Sequence, residues 1–185
     1  MNQTPGAAPR STFVTAVGWI FLAISAFGLL MGILQNIMLH TMFPQDAFAQ
    51  IASDPGHPQL PGISLWMIQN MRLVAALVLV TTVLHVVASI GLLRRWNWGR
   101  LLFIGLMAFG ILSNLGGLVF QGQMMMQMHE SFSDVQATQA DMPELGWFMV
   151  AIWVFSLGIA LAFAALYAWI IKRLVAPEVV AEFRR

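Results

Sequence analysis

The sequence predicts an all-α integral membrane protein, an antiparallel four-helix bundle, from its long apolar runs and its scarcity of charge. Of its 185 residues, 59% are hydrophobic and 9% are charged, whereas a soluble domain carries about 25% charged residues. The apolar runs cover residues 13–38, 73–93, 101–120 and 147–171. Each holds about 20 residues or more, enough at ~1.5 Å per residue to cross a hydrocarbon core of ~30 Å.

The charges between these runs are sorted by sign, and the sorting predicts the orientation of the bundle. One side carries eight basic residues against two acids, and the other carries one arginine against six acids. Lys and Arg accumulate in cytoplasmic segments of membrane proteins. We therefore expect the N-terminus, the segment 94–100 and the C-terminus to be cytoplasmic.

In chain order, a single domain over residues 1–185 is predicted to contain transmembrane helices at about 13–42, 65–93, 99–127 and 147–172. The first helix passes the thickness of a bilayer before Pro44, which cannot continue a helix. Helix-compatible residues prolong the second and third helices on the same side. We therefore expect helices that extend beyond the membrane on its outer side. The predicted connections are outer loops at 43–64 and 128–146 and a cytoplasmic tail at 173–185.

Small residues at a spacing of four predict where helices approach each other closely. Gly28 and Gly32 form such a pair in the first helix, and they fit either a contact within the bundle or a homodimer seam. The fourth helix carries a longer stripe of small residues: Ser156, Ala160, Ala164 and Ala168. Small side chains let helices in lipid gain van der Waals contact, so we expect this stripe to face the bundle.

The short segment 94–100 predicts that the second and third helices form an antiparallel hairpin. Its Trp96 and Trp98 suit the headgroup level, where the ring is partly apolar and the N–H stays hydrated. In the tail, Pro177 followed by Glu178 predicts a short helix, because proline suits the first helical position and an acid suits the first turn.

Two segments carry more specific patterns, Gly91–Leu102 with the letters GLLRRWNWGRLL, and the C-terminal stretch Trp169–Phe183. Both resemble segments of a family of small four-span proteins from bacterial inner membranes whose activity is uncharacterised. In layout the resemblance covers most of the chain. It implies a four-helix arrangement in a bacterial inner membrane, and it implies no activity and no functional residue.

Methionine is the most unusual residue of this sequence, because ten of the thirteen fall at or beyond the predicted outer helix ends. Thioether sulfur is a soft ligand that selects Cu(I), and imidazole can join it. The candidate copper ligands are Met124, Met125, Met128, His129 and His40. The alternative is packing or partner contact, since methionine fills irregular gaps and suits adaptable apolar surfaces.

The second predicted span contains two ionisable residues, Arg72 and His85. Arg72 is the one basic residue of the outer side, and it fits a structural pairing with an outer acid or a site for an anionic ligand. The candidate acids are Glu130, Asp134, Asp141 and Glu144. His85 fits a hydrogen bond to a threonine hydroxyl or a carbonyl, or a functional role. We expect Gln35, Asn36, Ser113 and Asn114 to form hydrogen bonds between helices or to line a pathway.

The chain carries no signature of catalysis. Cysteine is absent, which excludes thiol chemistry, and phosphate-binding glycine loops and zinc spacings are missing. We therefore expect no enzyme, no cofactor and no nucleic-acid binding. The expected function is a non-enzymatic accessory or scaffold protein of a bacterial inner membrane, in contact with lipids and with a protein partner or its own copies. The alternative is transport or metal handling, with the methionine–histidine cluster binding Cu(I).

Overall fold

A computed structural model describes residues 11–42, 62–136 and 146–183, and the elements within these ranges are helices. In chain order they are α1 (Thr12–Met42), α2 (Gly62–Gln69), α3 (Met71–Leu93), α4 (Asn97–Gln136), α5 (Gly146–Val175) and α6 (Pro177–Glu182). The all-helical prediction is therefore confirmed for this part of the chain.

Four of these helices are long and apolar enough to cross a membrane. The spans are Thr12–Met42, Met71–Leu93, Asn97–Met126 and Val150–Val175, with hydropathies between 2.0 and 2.5. Only 11 to 17% of the most apolar stretch of each span is buried within the chain. Most of the lateral surface is thus apolar and open, as expected of helices whose solvent is lipid.

Three predicted boundaries differ from the structure. α4 continues to Gln136, so the prediction of a loop that begins at residue 128 was wrong. Residues 128–136 lack proline and glycine, and Gln, Met and Glu are good helix formers. α5 continues to Val175 rather than ending at residue 172, and α6 follows at Pro177. The predicted helix 65–93 begins earlier, at Gly62, and is interrupted at Asn70. Predictions for 43–61 and 137–145 lie outside the described residues.

The interruption between α2 and α3 lies at Asn70. Its backbone leaves the helical region, with φ −108° and ψ 28°. Its side-chain Nδ2 and its backbone N–H both donate hydrogen bonds to the Trp66 carbonyl at 2.9 Å. The Val74 N–H in turn bonds to the Asn70 carbonyl at 2.9 Å. Helical hydrogen bonds therefore continue on both sides of the break.

Each of the four spans packs against the next span along the chain: α1 on α3, α3 on α4 and α4 on α5. Glycines of α1 permit the first contact, because a β-carbon at Gly28 would lie 3.5 Å from Thr82 and one at Gly32 would lie 3.2 Å from Leu79. On the other side, a β-carbon at Gly110 of α4 would lie 3.1 Å from the Tyr167 ring of α5.

The buried core lies at one end of the molecule, beside the α3–α4 connection; we call this the hairpin end. Five helices and the residue after α6 contribute to it: Val14, Val17, Ala88, Leu92, Phe103, Leu106, Met107, Ile170, Leu174, Val179 and Phe183. Phe21 of α1 meets Phe103 edge to face, with 5.1 Å between ring centroids. The hairpin end is therefore where all four spans are joined.

The hairpin itself depends on two glycines. A β-carbon at Gly91 would lie 2.8 Å from the Gly99 Cα, and one at Gly99 would lie 2.6 Å from the Gly91 Cα. The backbones of α3 and α4 thus cross without room for any side chain. Beyond Gly91 the helix ends in a Schellman motif, in which the Trp96 N–H bonds to the Gly91 carbonyl and the Arg95 N–H bonds to the Leu92 carbonyl.

Candidate functional site

The densest polar constellation among the described residues lies on the hairpin end. It consists of Ser11, Arg95, Arg100, Glu182 and Phe183, which we call the cap. These residues come from the start of α1, the α3–α4 hairpin and the end of α6. The cap therefore brings together segments that are far apart in the sequence.

Arg95 is the centre of the cap. It occupies the position after the α3 C-cap with a φ of 60°, a left-handed conformation that is usually taken by glycine. Its Nη2 donates to the Ser11 carbonyl at 3.1 Å and to the Thr15 hydroxyl at 3.0 Å. Its Nη1 lies 3.0 Å from Glu182 Oε2. A left-handed arginine thus uses its side chain to hold α1 and α6 on the hairpin.

The side chain of Glu182 lies at the N-terminus of α1. Its Oε1 accepts a hydrogen bond from the Ser11 N–H at 3.1 Å, while the Ser11 hydroxyl accepts one from the Val14 N–H at 3.5 Å. A carboxylate at a helix N-terminus is favourable because it meets unsatisfied N–H groups and the positive end of the helix dipole. Glu182 therefore caps α1 while it pairs with Arg95.

Arg100 performs the corresponding role at the end of α5. It is buried, with 8% exposure. Its Nη1 donates to the Leu174 carbonyl at 3.3 Å and its Nη2 to the Asn97 side chain at 3.0 Å. A cation at a helix C-terminus is favourable for the same electrostatic reason. Arg100 thus joins the first turn of α4 to the last turn of α5.

Phe183 lies against both arginines. The Arg95 Cζ is 5.8 Å and the Arg100 Cζ 5.6 Å from the centroid of its ring, so both fall within cation–π range. Phe183 is also 4% exposed and belongs to the apolar core. The aromatic ring therefore connects the polar cap to the core beneath it.

The chemistry of the cap is structural. Its groups are two arginines, a carboxylate, a serine and a phenylalanine. Most of their contacts join distant segments of the chain, and two are local, Ser11 with Val14 and Arg100 with Asn97. Sequence reasoning missed this constellation and treated the arginines as orientation signals. A signal was nevertheless present, because Glu182 is one of only two acids among eight basic residues on that side.

The candidate copper ligands are placed only in part. His40 is exposed on α1 and bonds through Nδ1 to the Asn36 carbonyl at 2.8 Å. Met124 and Met125 are half-buried on α4, and the Ser64 hydroxyl of α2 lies 3.5 Å from the Met124 sulfur. Met128 and His129 belong to α4, and their side chains lie outside the description. Within the described ranges, no group of three or more His, Asp or Glu side chains could hold a metal.

His85 lies half-buried on α3 and bonds through Nδ1 to the Thr81 carbonyl at 2.8 Å. A carbonyl partner requires the proton on Nδ1, so this bond satisfies Nδ1 within its own helix. Arg72 is half-buried in the first turn of α3. The acids predicted as its partners lie in regions where the structure describes no side chains: Glu130, Asp134, Asp141 and Glu144.

Two polar contacts join neighbouring helices away from the hairpin end. Asn36 of α1 donates to the Gly32 carbonyl at 2.9 Å and to the Ala75 carbonyl of α3 at 3.4 Å. Gln121 of α4 donates to the Ser156 hydroxyl of α5 at 3.2 Å. Asn114 bonds within its own helix, to the Gly110 carbonyl, whereas Gln35 and Ser113 are exposed.

The small-residue stripe of α5 faces its neighbours only in part. Ala160 is buried and Ser156 and Ala164 are half-buried, but Ala168 is exposed. The expectation that the whole stripe faces the bundle was therefore wrong at Ala168. At ~3.6 residues per turn, each step of four residues rotates by about 40°, so a line of such residues winds away from a fixed neighbour.

These features define an all-helical protein with four helices able to cross a membrane and a capped, buried core at one end. Comparisons with protein-family models, with curated proteins and with solved structures found no match.

Proposed function

We propose that this protein is a non-enzymatic scaffold or accessory subunit of a bacterial inner membrane, and that α4 and α5 present its docking face. One observation carries the proposal. Among the described residues, a β-carbon added at Gly105, Gly116, Gly117 or Gly158 would meet no atom of another helix within 4 Å. These glycines therefore lie on open helix surface, unlike Gly91 and Gly99 of the hairpin.

The presence of glycine on an open surface of a membrane helix needs a reason from outside the chain. Glycine is less favourable than alanine in a helix by about 1 kcal/mol, and none of the neighbouring residues that the structure describes fills the space at these four glycines. In lipid, glycines let a second helix approach closely enough to gain dispersion contact. A partner helix, from another protein or a second copy, supplies that reason.

The depths of two open glycines, Gly116 and Gly158, support a docking site that involves both α4 and α5. Gln121 pairs with Ser156 and Gly110 packs near Tyr167, so α4 and α5 run antiparallel with a fixed register. In this register Gly158 lies about level with Val119, and hence close in depth to Gly116. A partner helix at this depth could approach both spans.

The docking proposal predicts that bulk at the open glycines releases the partner. We expect wild-type protein extracted in mild detergent to elute with a partner or as an oligomer, and Gly116→Leu and Gly158→Leu to lower the associated fraction by at least about tenfold. Size-exclusion chromatography with crosslinking measures that fraction. Ala76→Leu is the matched control, because it adds the same side chain at an exposed position of α3.

Two outcomes contradict the docking proposal. One is a wild-type protein that remains a solitary monomer in several mild detergents. The other is an associated fraction that is the same in Gly116→Leu, Gly158→Leu and Ala76→Leu. Thermal unfolding of each variant separates loss of association from loss of folding.

The proposed orientation places the hairpin end in the cytoplasm, supported by the eight basic residues on that side. The resemblance of the hairpin and tail to small four-span proteins supports a bacterial inner membrane.

Because the chain has no cysteine, single introduced cysteines can report on which side of the membrane each end of the helices lies. We expect a membrane-impermeant maleimide to label Gln69→Cys in intact spheroplasts and Glu178→Cys only after permeabilisation; the reverse pattern would contradict the orientation. Both positions are exposed.

A further inference from the structure

The arginines of the hairpin divide into two groups by direction. Arg95 and Arg100 turn into the cap, where protein oxygens and the Phe183 ring receive them. Arg94 is exposed, and its Cζ lies 5.1 Å from the centroid of the Trp96 ring. Its guanidinium therefore lies over an aromatic ring at the surface, whereas those of Arg95 and Arg100 lie over a buried ring.

The tryptophans beneath Arg94 form a partly exposed aromatic surface. Trp96 and Trp98 are 41% and 48% exposed, and their ring centroids are 5.4 Å apart at an interplanar angle of 30°. Stacking on a ring restricts the guanidinium while leaving its N–H edge available. That edge matches two oxygens of a phosphate, which arginine binds in a bidentate manner.

A second stack of the same kind lies at the same end of the molecule. The Arg173 Cζ is 5.8 Å from the Trp169 ring, and both residues are exposed near the end of α5. Lys172 is exposed beside them, and Glu178 is the one acid among the described residues of this end that is exposed. Positive charge thus dominates the outward surface of the hairpin end.

We propose that Arg94 on Trp96 and Arg173 on Trp169 bind the phosphate groups of anionic phospholipids. Tryptophan side chains collect at the headgroup level of a bilayer, so an arginine stacked on them lies where lipid phosphates lie. Anionic headgroups add attraction to a basic surface. This proposal does not depend on the docking face of α4 and α5, and it holds for either orientation of the chain.

The test compares lipids on delipidated protein in mild detergent. Native mass spectrometry measures the apparent dissociation constants of dioctanoyl phosphatidylglycerol and dioctanoyl phosphatidylcholine. We expect phosphatidylglycerol to bind at least about fivefold more tightly. The double variant Arg94→Gln/Arg173→Gln should abolish this preference. Lys172→Gln, which removes an exposed charge without a stack, should retain most of it.

Two further variants separate stacking from charge. Arg94→Lys keeps the charge but loses the bidentate edge, and Trp96→Leu keeps the arginine but loses the ring; each should weaken phosphatidylglycerol binding. Equal binding of the two lipids overturns the proposal, and so does a preference that the double variant retains. Unchanged binding in both Arg94→Lys and Trp96→Leu overturns the stacked geometry. Displacement of phosphatidylglycerol by equimolar inorganic phosphate would show that the site binds the free anion, and it would also overturn the proposal.

Discussion

Replacing Gly99 with alanine is expected to destabilise the protein by about 2–3 kcal/mol or more, the range for forcing extra atoms into a packed site. The added methyl group would lie 2.6 Å from the Gly91 Cα and 2.7 Å from its carbonyl carbon. Both are backbone atoms, so no rotamer change can relieve the overlap. The helices would have to separate where the hairpin-end core begins.

The measurement is the unfolding midpoint in detergent, followed by circular dichroism. Gly105→Ala is the matched control: it lies on the same helix, and its β-carbon would meet nothing within 4 Å. Since alanine favours a helix over glycine by about 1 kcal/mol, we expect Gly105→Ala to be neutral or slightly stabilising. Equal midpoints for Gly99→Ala and Gly105→Ala would contradict the close crossing of α3 and α4.

The second large effect concerns Arg95. We expect Arg95→Ala to lower the free energy of unfolding by roughly 2–3 kcal/mol, below the 3–5 kcal/mol for breaking a fully buried ion pair, because Arg95 and Glu182 each keep 16% side-chain exposure. The change also removes the bonds to Ser11 and Thr15 and leaves the Glu182 carboxylate without its cation.

Arg95→Gly isolates the backbone contribution at the same site. Both variants lose the guanidinium, but glycine adopts a φ of 60° without the cost that a β-carbon imposes. We therefore expect Arg95→Gly to be about 1 kcal/mol more stable than Arg95→Ala. Chemical unfolding of the two variants side by side measures the difference. Equal stability would mean that the left-handed conformation stores no strain, and wild-type stability in both would mean that the cap contributes nothing.

The four long helices could be predicted because length and hydropathy are local properties of the sequence. Helix ends were harder: nothing in the composition of residues 128–136 marks a stop, and α4 continues to Gln136. The break between α2 and α3 is a change of backbone conformation at the single residue Asn70. Apolar residues continue on both sides of Asn70, so the hydrophobic pattern does not reveal the break.

The cap could not be predicted, since its contacts join distant positions. Ser11 and Glu182 are separated by 171 residues, and their approach depends on how four helices pack. The pattern of charges showed only that Arg95 and Arg100 share a side of the membrane with Glu182. Arg95 turns inward from a left-handed backbone, a conformation that sequence preference assigns to glycine rather than arginine.

The composition of the hairpin-end core has a consequence for biogenesis. This core includes Val14 from the first span as well as Val179 and Phe183 from α6. The core cannot close until residue 183 has left the ribosome, whatever the order in which the helices form. A nascent chain that stops before that point leaves the other residues of the cluster without Val179 and Phe183.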